Sequence, residues 1–362
     1  MAPALLPWFD AHGRTLPWRG CGDPYRIWVS EVMLQQTRVD VVIPYYQRFL
    51  ERFPTVGALA AADEEDVLAA WSGLGFYRRA RNLHAGARQV VADNGGQLPR
   101  APAALGAIKG IGRYTLGAIL SAAWNDPLPI LDGNVIRVLS RLFRVDGAPD
   151  RADTLRVLWG LAEEVLPQDR PGDFNQALMD LGATVCKPSG PLCSRCPLAR
   201  GCEALAVGDV EDYPRPKRKQ KLTFEVRVAL RIDLPDGRFL LERRPFDGLL
   251  GGLWELPGRT VSVGSTAARA LGGLVSDLEQ DASDLGPPVP VGRVEHRFSH
   301  RHWTVHVYQA VAGTPPRAAG TPSYAADGPE RRWIDAEELP ELGLPTVSRK
   351  AIDLSACNQS LR

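Results

Sequence analysis

Apolar residues recur at helical spacing through the first 208 positions, and from Phe224 onward they alternate, as in strands. In the first stretch, Ile27, Trp28, Val32, Leu34 and Val39 predict one long amphipathic helix starting at Pro24. Val56 to Trp71 reads as an Ala-rich helix. Leu105, Ile108, Leu116, Ile119 and Leu120 outline two helical turns parted by Gly110 and Gly112, and Val135, Val138, Leu139 and Leu142 line another amphipathic helix. Leu155 to Leu166 and Phe174 to Val185 give two more. In the second stretch, Phe224 to Ile232 alternates, Pro235-Asp236-Gly237 turns, and Phe239 to Glu242 returns as a hairpin. A further strand pair is expected within Val294 to Tyr308, around Phe298-Ser299-His300, with one helix near Ala267 to Leu274. Between the two patterns, Asp212 to Lys221 is proline-rich and then basic, the composition of a linker. The pattern therefore predicts a multidomain chain: an all-α region over 1–208, a linker over 209–222, an α+β domain over 223–354 and a tail over 355–362.

Composition narrows this only slightly. The chain has 362 residues, enough for two or three domains with full cores. Its net charge of +1 means that any nucleic-acid surface must be a local patch. No apolar run approaches the roughly 20 residues of a membrane span and no signal-peptide pattern opens the chain, so no membrane partner and a cytoplasmic location are expected. Cysteine usage is more telling. Four of the six cysteines, Cys186, Cys193, Cys196 and Cys202, are spaced C-x6-C-x2-C-x5-C. Pro188, Gly190, Pro191, Pro197 and Gly201 between them cannot form a packed core, so a bound metal would supply much of the folding free energy there. Zinc and [4Fe–4S] both fit four thiolates. Cys21 and Cys357 have no evident role.

Several stretches carry candidate chemistry, each with a plainer alternative. In Lys109 to Thr115, glycines at 110 and 112 permit positive φ and close approach, exposing N–H groups at a helix start for a phosphate. An ordinary helix–turn–helix corner would look the same. Asp132 opens a helix, where the dipole favours its ionised form; a simple N-cap would do so too. Glu31 stands among apolar residues, where burial raises a carboxyl pKa, unless it is exposed and paired with Arg38 or Gln35. Gly73 to Arg81 mixes glycine, aromatic residues and arginines, as a wedge that unstacks a base and holds flanking phosphates would, or as a helix start with a solvated basic face would. His296, His300, His302 and His306 could suggest zinc, but no cysteine or carboxylate spacing supports it, and strand histidines facing alternate sides are the preferred reading.

Taken together, these stretches resemble the MutY family of adenine DNA glycosylases, of the helix-hairpin-helix, endonuclease-III-like superfamily. The likeness runs from Thr15-Leu16-Pro17-Trp18-Arg19 through Ser30 to Thr37, Gly73 to Leu83, the hairpin, Leu131-Asp132-Gly133-Asn134 and the cysteine ladder, and on to Phe298-Ser299-His300. The resemblance implies a helix-hairpin-helix glycosylase core with an iron–sulfur loop at 186–202, holding [4Fe–4S] on the four cysteines. It also implies a Nudix-like lesion-recognition domain: Gly251 to Gly258 resembles the start of a Nudix domain, although Ala267 to Leu274 lacks the glutamates that would hold Mg²⁺. The implied substrate is double-stranded DNA with adenine opposite 8-oxoguanine or guanine, and the implied enzyme is a monomer associated with a bacterial nucleoid. Glu31 would protonate the departing adenine. Asp132 would face the sugar, with Asn134 and Tyr114 orienting it. A tyrosine at 114, where bifunctional relatives place a lysine nucleophile, implies a monofunctional enzyme. Gln36 would fill the stack, Leu34 would line the opened duplex, and Phe76 replaces the tyrosine usual at the wedge. Phe298, Ser299 and His300 would read 8-oxoguanine. Arg14, Arg19, Lys109 and Arg113, with Gly110 and Gly112, are candidate phosphate contacts. Two alternatives remain: an endonuclease-III-like glycosylase/lyase, and a DNA-binding iron–sulfur sensor without catalysis.

Overall fold

A computed structural model describes residues 1–217, 221–279, 283–314 and 329–357. Its contacts divide the chain into two compact units, Met1–Ala62 with Arg78–Lys219, and Asp63–Tyr77 with Gln220–Arg362. The first contains helices α1 (Ala2–His12), α2 (Pro24–Leu34), α3 (Val39–Arg52) and α4 (Val56–Ala61). The chain passes through α5 (Glu64–Ala70), in the second unit, and returns as α6 (Arg78–Asn94). Then come α7 (Pro102–Gly106), α8 (Arg113–Trp124), α9 (Gly133–Leu142), α10 (Ala152–Val165), α11 (Pro171–Thr184) and the short α12 (Glu203–Val207). Among the described residues no helix is long and apolar enough to cross a membrane.

Helix α2 differs from its sequence reading in two ways. Every residue from Tyr25 to Met33 except Arg26 is buried, so it is a central helix covered all round, not an amphipathic one. It also stops at Leu34, and Val39 opens α3. Gln36 between them has φ of +59°, a left-handed conformation that ends a helix. The helix expected over Val56 to Trp71 is likewise two pieces. Asp63 adopts extended backbone and α5 begins behind it with Glu64, Glu65 and Asp66 in its first turn, where the helix dipole favours acid. Helix α9 packs Val135, Val138 and Leu139 against Phe174, Ala177, Leu178 and Leu181 of α11. At the crossing is Gly182, where a Cβ would come within 2.6 Å of Asn134 Cβ; the small residue lets α11 press directly on the start of α9.

The second unit contains strands β1 (Thr223–Asp233), β2 (Phe239–Arg243), β3 (Trp254–Glu255), β4 (Gly258–Thr260), β5 (Ser283–Leu285), β6 (Val289–Arg297), β7 (Arg301–Thr314) and β8 (Arg331–Ile334). Helices α13 (Ala267–Leu278) and α14 (Thr346–Cys357) accompany them. The expected hairpins form: β1 pairs antiparallel with β2 across Pro235-Asp236-Gly237, and β6 with β7 across Ser299-His300. The centre of the sheet was not expected. β1 and β7 run parallel over Thr223↔Arg301 to Asp233↔Val311. Alternation then makes two cores: Val228, Leu230 and Ile232 pack with Ala270, Leu274 and Leu278 of α13, while Trp303, Val305 and Val307 pack with Val347, Ala351 and Ile352 of α14. Helix α5 and the loop after it, read from sequence with the helical region, belong to this unit by contact. Trp254 Nε1 donates to Glu65 Oε1 at 2.7 Å, and Ser72 Oγ and Tyr77 OH donate to Leu344 O at 2.8 and 2.9 Å.

Candidate active site

Two connected recesses lie in the helical unit. The inner one, a cavity of about 60 Å³, is walled by α2, α8, α11 and the segment before α2; Glu31, Ile27, Trp18, Ala118, Asn175 and Gln176 all face it. The outer one is an open cleft of about 1200 Å³. Glu31, Arg14, Leu34, Val39 and Met179 line both, so Glu31 stands at the threshold. The cleft brings together Leu34, Gln36, Gly110, Gly112, Arg113, Tyr114, Asp132 and Asn134, which the sequence holds as far apart as 100 positions.

Glu31 is 6% exposed and has neither Arg38 nor Gln35 as its partner. The Tyr114 hydroxyl donates to its Oε2 at 2.6 Å. Burial pushes the Glu31 carboxyl up to about 7; the Tyr114 hydrogen bond and the Arg19 charge pull the other way, and the Asp132 charge adds to the rise. Tyr114 is itself pushed well above its ordinary value by burial and by the two nearby carboxylates, so it stays a neutral donor. Asp132 is the N-cap of α9: its Oδ1 accepts from the N–H groups of Asn134 and Val135 at 2.9 and 2.7 Å, and its Oδ2 from Asn134 Nδ2 at 2.9 Å. The helix start was expected to keep this carboxyl ionised. Burial outweighs these hydrogen bonds, and its pKa lies above the ordinary value.

The hairpin divides its two glycines. Gly110 has φ of +90°, which the turn requires. Gly112 has ordinary extended backbone and is the N-cap of α8; a Cβ there would meet nothing in the protein, so its absence leaves open space before the N–H groups of the first helical turn. The basic residues are less open than expected. Arg113 stacks on Trp159, 3.9 Å from the ring centroid, and pairs with Glu163. Arg14 and Arg19 both close on Asp180, a fully buried carboxylate on α11. Burial alone would raise its pKa, but hydrogen bonds from Arg19 and Arg14 bring it below the ordinary value. Arg19, expected at a phosphate, is therefore committed to the cavity wall. Lys109 is exposed, its backbone N–H on Gln89. Arg79, read as one of three outward arginines, is buried against the end of α2.

Asp180, Asn175, Gln176 and Arg137 are site residues the sequence reading missed. Arg137 Nε donates to Cys186 O at 2.7 Å and its Nη2 to Asn134 Oδ1 at 2.9 Å, joining the cysteine loop to the start of α9. The only signal would have been an acid or arginine at an otherwise apolar helical position, as with Asp180 between Met179 and Leu181.

The four ladder cysteines are each partly buried, and none is paired in a disulfide. Cys196 is pushed up to about 11, chiefly by burial, and it senses Cys186, Cys202 and Cys193 as neighbouring negative charges. Arg141 reaches in, with Nη1 3.4 Å from Cys186 Sγ and 2.6 Å from Lys187 O. Among the described residues no three His, Cys, Asp or Glu side chains converge on a point that would hold a single metal ion, the strand histidines included.

In the second unit, Phe76 is exposed with φ of +50°, in a loop where Trp71 Nε1 donates to Gly75 O. Phe298, Ser299 and His300 form the β6–β7 turn. The Phe298 ring is held edge-on by His296 and Trp303, with centroids 4.5 and 4.8 Å away, while Ser299 and His300 are exposed. Helix α13 presents no glutamate pair; its Asp277 pairs with Arg259.

Comparison with known proteins agrees with this arrangement. Residues 29–164 match the HhH-GPD superfamily base excision DNA repair protein family, and residues 228–354 match the NUDIX domain. The adenine DNA glycosylase of Homo sapiens is 36% identical over 96% of this chain and 72% of its own length. That of Arabidopsis thaliana is 35% identical over 96% of this chain, which spans 62% of the plant protein. A solved thermostable thymine-DNA glycosylase superimposes on 57% of the chain, covering 95% of its own, with a TM-score of 0.52 and 29% identity. Helical core and cleft thus define a base-excision DNA repair glycosylase of the helix-hairpin-helix class, followed by a Nudix-like domain. Within that class, the chain belongs to the adenine DNA glycosylase family.

Proposed function

We propose that this chain removes adenine mispaired with 8-oxoguanine, or with guanine, in duplex DNA by hydrolysing the N-glycosidic bond without cleaving the strand. The observation that carries the proposal is Glu31: a buried carboxyl with a pKa of about 7, held by Tyr114 at the threshold between cavity and cleft, with Asp132 in the same cleft. An adenine flipped into the inner cavity meets a carboxylic acid that still carries its proton near neutrality, and protonation at N7 makes the base a leaving group. As the bond breaks, the sugar acquires oxocarbenium character. Asp132, raised in the free protein by burial, is drawn to its ionised form by that positive charge, so its stabilisation is greatest in the transition state. Asn134, bonded to Asp132 Oδ2, fixes the carboxylate plane, and water completes the hydrolysis.

Gly110, Gly112 and the first turn of α8 would grip a phosphate of the opened strand, with Lys109 and Arg113 beside them. Leu34 and Gln36 would enter the duplex from the cleft side. Phe76, and the Phe298-Ser299-His300 turn, would work from the second unit on the wedge and on 8-oxoguanine. The division into a catalytic region over 1–208, a linker over 209–222 and a recognition domain over 223–354 belongs to the same proposal, as does action as a monomer. Cys186, Cys193, Cys196 and Cys202 would hold [4Fe–4S]. Four cysteines near enough for Cys196 to sense the other three, in a loop without a packed core, support one shared centre, and the likeness to the endonuclease-III-type glycosylases favours the cluster over zinc. The cluster would supply a covalent staple for a loop without a core of its own.

Single-turnover base release from a duplex with one adenine opposite 8-oxoguanine tests this, with the native chain beside Glu31→Gln. Free adenine from the native chain, a strand intact until alkali is added, and no release by the variant are expected. Strand scission without alkali would revive the lyase, and tight binding with no release from either chain would leave a sensor.

A further inference from the structure

The end of α2 is closed by a local turn, in which Thr37 N–H donates to Leu34 O at 3.2 Å, and by one side chain from another helix. The last carbonyls of a helix have no partner within it and need donors from elsewhere. Here Arg79, entering from α6 and 9% exposed, places Nη1 at 3.0 Å from Val32 O, 2.8 Å from Met33 O and 2.5 Å from Gln35 O. Its Nη2 lies 3.1 Å from Thr37 Oγ1. Both neighbours of Gln36 are thus tied to a single guanidinium, while Gln36 itself is exposed in the cleft with φ of +59°. For a glutamine that backbone region is unfavourable and persists only where the surroundings over-determine it. The same clasp ends the helix that carries Glu31, three residues before Leu34.

We infer that Arg79 is a positioning residue for base extrusion: by clasping the carbonyls of Val32, Met33 and Gln35 and the hydroxyl of Thr37, it holds Gln36 in the conformation that inserts into the base stack. The inference rests on the proposed DNA reading and deepens it. A planar guanidinium can serve several divergent acceptors at once, whereas an ammonium is a point donor on a thinner stem. Charge alone therefore does not replace it. Burial pushes the Arg79 pKa down to about 10, still far above neutrality, so the clasp stays cationic and favourable at the negative end of α2.

The test uses the full chain with Arg79→Lys, Thr37→Val, Gln36→Ala and the double variant Arg79→Lys/Gln36→Ala. Two readouts are taken: single-turnover adenine release opposite 8-oxoguanine, and fluorescence of 2-aminopurine placed beside the target adenine, which brightens on unstacking. Arg79→Lys is expected to slow release about 10- to 100-fold, the scale of a small misplacement at a reacting centre, with little loss of duplex affinity and with the 2-aminopurine signal diminished. Thr37→Val, which removes one strand of the clasp and keeps its charge, is expected to shift both readouts the same way by a smaller factor. In the Gln36→Ala background, Arg79→Lys is expected to add less than about twofold, because the residue it acts through is already gone. Full additivity of the two changes overturns the inference, as does an undiminished 2-aminopurine signal in both Arg79→Lys and Thr37→Val. If Arg79→Lys does not fold, Thr37→Val and the double variant Thr37→Val/Gln36→Ala decide by the same criteria. A native chain that unstacks the duplex but releases no adenine overturns the glycosylase reading and is separable from either result for the clasp.

Discussion

The cleft and the β6–β7 turn solve opposite problems. In the cleft the groups proposed to react are drawn away from water: Glu31 is buried, Asp132 is half-buried at the cap of α9, and Tyr114 bonds to Glu31. At the turn the residues proposed to read the opposite base are left in water. The Phe298 ring is gripped by His296 and Trp303, and Trp303 is fixed in turn by Glu225 Oε2 accepting from its Nε1 at 2.8 Å. Ser299 and His300 stand clear of that support. Proton transfer at neutral pH needs a carboxyl whose pKa only desolvation can lift. Reading a base opposite needs exposed donors and acceptors on a rigid base. One unit therefore accepts electrostatic cost for chemistry, and the other spends packing on geometry.

The sharpest way to break this contrast is Asp132→Asn. Asparagine retains an acceptor for the N–H groups of Asn134 and Val135, so α9 keeps its cap, but the charge proposed to face the sugar is gone. Base release should fall about 10²- to 10³-fold, the scale of losing one preorganised electrostatic group. Thermal unfolding should hardly move, since a carboxyl raised by burial contributes little stability as an ion. A large drop in melting temperature with modest loss of rate would make Asp132 a cap and nothing more.

What could be read from the chain separates along the same lines. The Asp132 cap, the Gly110 turn, the cysteine ladder and both hairpins are local, set by residues within a few positions of one another, and the structure contains each of them. The parallel pairing of β1 with β7 joins positions almost eighty residues apart and has no local signature. Asp180 was invisible for a related reason. Its role exists only because Arg14 and Arg19, more than 160 positions upstream, close on it. Arg79 misled because an arginine among arginines reads as surface; its burial makes sense once the last carbonyls of α2 accept from it. The break at Ala62–Asp63 was missed in reading Val56 to Trp71 as one helix, although Asp63-Glu64-Glu65-Asp66 is a local signal, the acidic opening of a new helix.

Glu31 makes a second prediction, for stability. Its folded pKa of about 7 lies above the ordinary value of 4.5, so the folded state holds a proton that the unfolded state has released between those values. The stability linked to that proton is fully present below pH 4.5 and is lost as pH rises through 7, by about 3 kcal/mol in total. Glu31→Gln removes the dependence. Denaturant unfolding at pH 5 and pH 8 should show the variant gaining on the native chain by a few kcal/mol at the higher pH, and the native rate of base release should fall on the same alkaline limb. An equal difference at both pH values would mean that Glu31 is already ionised at pH 5.

The smallest effect is expected at the turn. Ser299→Ala removes an exposed hydroxyl while Phe298 keeps its contacts with His296 and Trp303, so the hairpin and the melting temperature should be unchanged. Release of adenine opposite guanine, where the features of the oxidised base are absent, should also be unchanged. Release opposite 8-oxoguanine should slow, but only by about the 0.5–1.5 kcal/mol that one neutral hydrogen bond is worth, a few-fold to roughly tenfold. The ratio of the two rates is therefore the quantity to measure. A ratio that collapses with unchanged stability places discrimination on the exposed tip, as the contrast with the buried cleft requires. Were both rates to fall together, Ser299 would be holding the duplex in general, and the reading of the opposite base would have to come from another part of the second unit.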